Sequence, residues 1–418
     1  MAHQLLGAGD APVLPDGDEH SRREEKPNVN VSARALWHSA PPPHRSLSIV
    51  VGVPVRNEAE GLGSTLRSLA AQTELDGSRF DPSRFEVLLL VNNCTDESAR
   101  IAGEFAMSQP DLPLHIEDIH LPPVDAHIGH VRRLLMDAAC IRLAAVGAAR
   151  GIVANTDGDT QVDSFWLART RQEFELGADA VGGRITLDPY APIHPGTLRR
   201  QRCDAAYRLA LALLESLLDP DPADPWPRHH QHFGASLAVA RDAYLKVGGV
   251  PPVRYLEDEA LVGALRRADM RVRHSPRVRV LTSPRCDGRA EVGLSWQLRE
   301  WRERHGSDAP MTVDDPDHIA AEIKVRRLLR GTWRSGRTGR WKSTASAVER
   351  CFGVSENWLR AAADSADTFG ALWADLMACR PSGRLTAQTP VREAIDRLHA
   401  LIHAHGGSSV ARSNTSSL

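Results

Sequence analysis

The sequence predicts a three-layer α/β fold: a buried, mostly parallel sheet with helices on both faces, followed by a helical C-terminal extension. Three observations carry this. Continuous apolar runs at residues 47–54, 85–91 and 151–155 alternate with segments of helical period, the pattern of βαβ units. Each run ends in a polar turn, and ligands of open α/β sheets collect at such strand ends. From residue 311 strand signals cease and the chain becomes helical and basic.

The elements follow in order. Residues 1–45 are rich in Pro, Asp, Glu, Arg and Ser without an apolar period, and read as a disordered or loosely attached arm. A strand buried on both faces begins at Leu47 and is stopped by Pro54; Leu62, Leu66 and Leu69 then mark one face of a helix. Residues 85–91 form a second strand, 92–96 a polar turn before another helix, and 114–119 a third strand. Residues 136–146 are helical, and 151–155 form a short strand running into Thr156-Asp157-Gly158-Asp159-Thr160. Strand-like pieces recur at 180–185 and 272–281. A boundary near residue 305 separates a main domain, 46–305, from a helical extension, 306–406. In its last helix Thr389 would cap, Pro390 open the first turn, Val391, Ile395, Leu398 and Ile402 share a face, and Gly406 follow the end. Residues 407–418 read as a disordered polar tail.

Composition excludes several function classes. In 418 residues, Lys+Arg 51 against Asp+Glu 53 leaves a net charge of −2, which argues against nucleic acid or an anionic membrane as the main partner. No apolar stretch approaches the ~18–20 residues of a transmembrane helix, and the N-terminus lacks the features of a secretory signal. The 6 cysteines form no CxxC pair and read as free thiols, so a soluble cytoplasmic protein is expected. One basic stretch, 324–342, holds Arg326, Arg327, Arg330, Arg334, Arg337 and Arg340 without an acid. It is either a solvated face, a holder for an anionic acceptor, a peripheral contact with lipid headgroups, or a dock for a second subunit in a homodimer.

The chemistry centres on Asp157-Gly158-Asp159 at the end of an apolar strand. Two carboxylates flanking a glycine suit a hard divalent cation such as Mg²⁺ or Mn²⁺; the plain alternative is a solvated turn. The other strand ends carry Val53-Pro54-Val55-Arg56-Asn57-Glu58-Ala59-Glu60 and Val91-Asn92-Asn93-Cys94-Thr95-Asp96-Glu97-Ser98. Gly129-His130-Val131-Arg132-Arg133 precedes the fourth strand, and Tyr255-Leu256-Glu257-Asp258-Glu259-Ala260-Leu261 comes later. In this order the segments resemble the family 2 glycosyltransferases of the GT-A fold, single-domain soluble bacterial type, over roughly residues 47–300.

That resemblance implies a Rossmann-like αβα sheet with a nucleotide-binding half, 46–160, and an acceptor half, 161–305. It implies metal-dependent transfer of a sugar from a nucleotide-diphosphate sugar to the hydroxyl of an unidentified acceptor. Pro54, Val55 and Glu58 match the segment along the nucleotide, where a carboxylate accepts from ribose hydroxyls; Glu58 is alternatively a helix N-terminal charge. Asn92, or Asn93 one residue on, matches the base-reading position, and both also suit an Asx-turn. Arg132 matches an arginine facing base or diphosphate. Asp157 would meet the ribose or the metal through water, and Asp159 would bind the metal directly. His274 is either a further metal ligand or a strand histidine. Asp258 matches the general base of an inverting displacement, with Glu257 in support. Gly234, Ala235 and Ser236 would line the acceptor side, with His232 as a sugar or acceptor contact. His229, His230 and His232 lack a zinc pattern. Alternatives are a retaining GT-A transferase, a sugar-phosphate nucleotidyltransferase, or a scaffold with the same fold. The second lacks a glycine-rich loop after the first strand.

Overall fold

The computed structural model describes residues 32–286, 288, 292–304, 310–336, 341–380 and 388–406. Strands β1 (Ile49–Val55), β2 (Phe85–Asn92), β3 (Leu114–Ile119), β4 (Ile152–Asn155), β5 (Thr160–Val162), β6 (Ala180–Leu187), β7 (Leu237–Ala240) and β8 (Val272–Thr282) form one sheet. Their order is β3-β2-β1-β4-β7-β6-β8-β5. Helices α1 (Leu62–Ala70), α2 (Ser98–Ser108), α3 (Ile128–Ala145), α4 (Trp166–Glu175), α5 (Pro195–Leu218), α6 (Arg241–Lys246) and α7 (Glu257–Arg267) accompany it.

The central strands read as unbroken apolar runs because successive side chains enter opposite cores. Val50, Leu88, Leu90 and Val153 pack with α3, α6 and α7, whereas Val51, Val53, Leu89 and Val91 pack with α1, α2 and α4. The expected three-layer α/β architecture is therefore present. The sheet is mixed rather than mostly parallel: β3, β2, β1 and β4 are parallel, but β7 opposes both β4 and β6, and β5 opposes β8. An apolar run reports burial, not direction, and the four residues of β7 are too few to stand out.

Direction decides what reaches the working rim. The C-terminal ends of β1, β2 and β4 share one edge of the sheet. Because β7 is antiparallel and pairs Leu237 with Asn155, its start, the short 3₁₀ turn Gly234–Ser236, arrives at that same edge. β8 also ends there, with Thr282 opposite Thr160.

Part of the N-terminal arm is seated rather than loose. Leu36 and Trp37 are buried in the core, and Trp37 donates its indole N–H to the His115 carbonyl at 3.1 Å. A lone tryptophan leaves no periodic signal, which hides this docking from sequence. Residues 1–31 and 407–418 of the predicted arm and tail lie outside the described residues, as does the predicted boundary at 305.

Beyond the sheet come α8 (Leu294–Glu303), β9 (Thr312–Asp314), α9 (Pro316–Arg334), α10 (Trp341–Phe352), α11 (Glu356–Ser365), α12 (Phe369–Ala378), β10 (Gln388–Pro390) and α13 (Val391–Ala404). Two short strands thus correct the all-helical expectation: β9 and β10 pair antiparallel, with Thr389 opposite Val313. Thr389 consequently belongs to a strand rather than capping α13, and its hydroxyl donates to Asp315. Asp315 is itself the cap of α9, accepting from the backbone N–H groups of Asp317 and His318 ahead of Pro316. Val391, Ala394, Leu398 and Ile402 pack with Tyr207, Leu213, Leu214 and Leu218 of α5 and Ile323 of α9.

The basic stretch turns inward over much of its length. Arg326 donates to Asp219 at 2.6 Å and Glu215 at 2.7 Å, Arg330 to Asp219 at 2.7 Å, and Arg327 to the Leu218 carbonyl at 3.0 Å. These three arginines grip the C-terminal end of α5, where acids and unpaired carbonyls attract cations, so they do not form the open lipid- or subunit-facing patch that sequence suggested. Arg337 and Arg340 lie outside the described residues. No helix among the described residues is long and apolar enough to cross a membrane.

Candidate functional site

Four strand ends build the site. The turn after β4 carries Asp157-Gly158-Asp159, pinned by the Thr65 hydroxyl donating to the Gly158 carbonyl at 3.0 Å. It packs closely on the turn after β1: a Cβ on Gly158 would lie 3.0 Å from Glu58 Cγ. Burial pushes the Asp159 carboxyl up to about 7; Arg285 opposes this, while the Glu58 and Asp157 charges add to it. Arg285 arrives from just beyond β8 and lies between two of these acids, 2.9 Å from Asp159 and 2.5 Å from Glu58.

Arg132 on α3 is the hub of the second part. Only 3% exposed, it donates through Nε to Glu257 at 2.7 Å, through Nη2 to Asp157 at 3.0 Å, and through Nη1 to the Gly234 carbonyl at 3.2 Å. Sequence predicted that it faces base or diphosphate. Its planar fork is instead saturated by protein acceptors, and it ties three segments together. Gly234 is required here, because a Cβ would fall 2.2 Å from Arg132 Nη2. Gly129 has the same necessity, its Cβ position lying 1.9 Å from the Val253 carbonyl oxygen.

Asp258 stands in the first turn of α7. Its carboxylate accepts from the Gly234 N–H at 2.7 Å and the Glu259 N–H at 2.8 Å. Surrounding protein, then the neighbouring Glu257 charge, push it up to about 7 against Arg132 and the two N–H bonds. A continuous chain of hydrogen bonds therefore runs from Asp258 through Gly234 and Arg132 to Asp157.

The remaining predicted residues divide. Asn93 adopts φ +50° and closes the turn, its amide bonding both backbone groups of Leu121. Asn92 is buried and its side chain makes no hydrogen bond among the described residues, so it is the freer of the two. Pro54 and Val55 lie in the buried end of β1. Ala235 and Ser236 are buried beneath the rim, Ser236 accepting from the Trp166 indole at 3.0 Å.

His232 and His274 are tied into the protein interior, His274 as a strand residue. His232 is 1% exposed, bonded through Nδ1 to His274 Nε2 at 3.0 Å and lying 3.1 Å from Glu259 through Nε2. His274 Nδ1 bonds Asp224 at 2.7 Å. With both ring nitrogens engaged, His274 has no lone pair for a metal, and His232 has no face for an acceptor. Burial holds His229 down at about 3 and His274 at about 4. An unfolded imidazole titrates near 6.5, so below that pH the unfolded chain binds more protons than the folded one. Each of these histidines should therefore lower stability as pH drops from 6.5 toward 4, by up to about 1.4 kcal/mol per pH unit, while the raised Asp159 and Asp258 carboxyls oppose this by taking up protons in the folded state. Urea unfolding of the wild type and of His229→Gln at pH 7 and pH 5 isolates the histidine contribution; an identical pH dependence in the two would contradict it.

Arg285 and the Glu259–His232–His274–Asp224 chain were missed by sequence reasoning. A basic residue directly after a strand end, in Ser283-Pro284-Arg285, opposite an acidic rim was the available signal for the first. Among the described residues no group of three or more His, Cys, Asp or Glu side chains is arranged to hold a metal. The donors present still fit a hard cation that takes most of its ligands from water and phosphate. Asp157 and Asp159 offer only oxygen, Asp157 is 36% exposed, and the acidic rim already draws in the cationic Arg285.

Comparison with known proteins agrees with the motif resemblance. A curated relative, glycosyltransferase AglE of Haloferax volcanii, is 27% identical over 138 residues, 33% of this chain. The chain spans 39% of the length of that relative. Among solved structures, the mannosyltransferase PcManGT of Pyrobaculum calidifontis, in complex with GDP-Man and Mn²⁺, is similar at 18% identity and TM-score 0.40, over 89% of this chain and 91% of that one. TarS of S. aureus (residues 1–349), in complex with UDP, is similar at 13% identity and TM-score 0.39, over 86% and 89%. Residues 50–200 match the family model described as glycosyl transferase family 2.

Proposed function

We propose that this chain transfers a sugar from a nucleotide-diphosphate sugar to an acceptor hydroxyl, inverting the anomeric carbon by direct displacement. The observation that carries the reading is the hydrogen-bonded path from Asp258 through Gly234 and Arg132 to Asp157, which couples a carboxylate raised to about 7 to the acidic turn after β4. Asp258 is the general base. It takes the acceptor's proton as the oxygen bonds to the anomeric carbon, while the bond from that carbon to the diphosphate breaks and its electron pair leaves with the nucleoside diphosphate. Glu257 holds Arg132, and Arg132 holds the Gly234 carbonyl whose own N–H steadies Asp258. Asn92 is the base-reading candidate and Glu58 the ribose-side carboxylate. A divalent cation, Mg²⁺ or Mn²⁺, held by Asp159 and Asp157 would supply charge compensation for the departing diphosphate.

A thermal-shift panel of UDP-, GDP- and dTDP-sugars with Mn²⁺, Mg²⁺ or chelator tests this. Ligand at 100 times its dissociation constant stabilises the folded state by about 2.7 kcal/mol. One donor should raise the melting temperature only when a cation is present, and Asp159→Ala should abolish that rise. No response to any donor would refute the proposal.

A further inference from the structure

We infer that Arg285 is a resident counter-charge of the acidic rim, and that a divalent cation and this guanidinium exclude one another at Asp159. The inference rests on the transferase reading above. Arg285 bridges two carboxylates from different strand ends, 2.9 Å from Asp159 and 2.5 Å from Glu58. Arg285 pairs with Oδ2 of Asp159, so a cation taking that oxygen, at about 2.1 Å, would compete with the guanidinium for it. Two positive charges cannot share one carboxylate oxygen at such range without strong repulsion.

Arg285 is also free to leave. Its side chain is 26% exposed, and among the described residues its ion-pair partners are Glu58 and Asp159. Its base is fixed, since β8 is locked to β5 through Thr160 donating to Thr282 at 3.0 Å, three residues upstream. The swing is therefore confined to the arginine and its immediate neighbours. Without nucleotide the acids are already neutralised, and a cation gains little by entering. A nucleoside diphosphate changes the balance, because its phosphate oxygens complete the cation's shell and its remaining charge offers the displaced guanidinium a partner. Cation and nucleotide then enter together, with Arg285 as the reason.

The test measures Mn²⁺ binding to the full chain without nucleotide, from the EPR signal of free Mn²⁺. Arg285→Gln should bind Mn²⁺ at least tenfold more tightly than wild type. Arg285→Lys keeps the charge and should stay within threefold of wild type. Arg279→Gln serves as control, since Arg279 is exposed on β8 and bonds the Pro276 carbonyl, so it removes the same charge from the same strand without touching Asp159. It should shift affinity less than threefold. Melting curves establish that each variant is folded, and adding Asp159→Asn to Arg285→Gln should erase the gain. Equal Mn²⁺ affinity in Arg285→Gln and Arg279→Gln overturns the inference. Failure of every sugar nucleotide to bind would sink the transferase reading instead, and the Mn²⁺ comparison reads Arg285 independently of it.

Discussion

Asp258→Asn is expected to lower kcat by about 10²–10⁴-fold, the range lost when a positioned general base is removed, while leaving the cation-dependent donor shift intact. Asparagine matches the carboxylate in shape, and one oxygen still accepts from the Gly234 or Glu259 N–H, so the turn into α7 persists. The pH profile supplies a second signature. A base must be ionised to act. With Asp258 raised to about 7 by burial and by Glu257, the active fraction shrinks as pH falls. The wild-type kcat/KM should thus drop tenfold per unit below pH 7 and level off above it, and the residual rate of Asp258→Asn should lack this limb. Loss of donor binding in the variant would contradict the division between base and donor residues.

Arg132→Leu is the largest expected stability effect. The substitution strips Glu257 and Asp157 of their counter-charge and leaves the Gly234 carbonyl without its donor. Removing one partner of a buried ion pair costs about 3–5 kcal/mol, because the other charge stays desolvated. Urea unfolding reads this directly. Arg132→Lys should recover part of the loss, as an ammonium keeps the charge but cannot reach three acceptors with a planar fork. Arg132→Leu with Glu257→Gln should be less destabilised than Arg132→Leu alone. A cost below about 1 kcal/mol, typical of exposed pairs, would mean that Arg132 is not the strut described.

How much of this was legible beforehand follows from the range of each interaction. β1, β2 and β4 and their turns were readable because burial on both faces writes a local apolar run, and Pro54, Asn92 and Asp157 punctuate it. The period of Leu62, Leu66 and Leu69 marked α1 for the same reason. Partner choice leaves no such trace. Arg132 meets Glu257 across 125 residues and Arg285 meets Glu58 across 227, so the sequence displays the charges without their pairing. The motif pattern found Arg132 and assigned it to ligand, although its surroundings are protein. His232 and His274 show the same limit: their residue type admitted ligand chemistry beside a structural reading, and only the fold shows Asp224, 50 residues from His274, holding the ring.

The grip of α9 on α5 has a consequence for the helices after residue 310. Glu215 and Asp219 find their arginines there, and the apolar flank of α5, Leu213, Leu214 and Leu218, is roofed by α9 and α13. Those helices are thus wall rather than ornament. A chain shortened before them would expose an oily strip, take from Asp219 both of these arginines, and uncover the far end of α7, the helix that opens with Asp258 and whose Arg267 pairs with Asp375 at 3.0 Å.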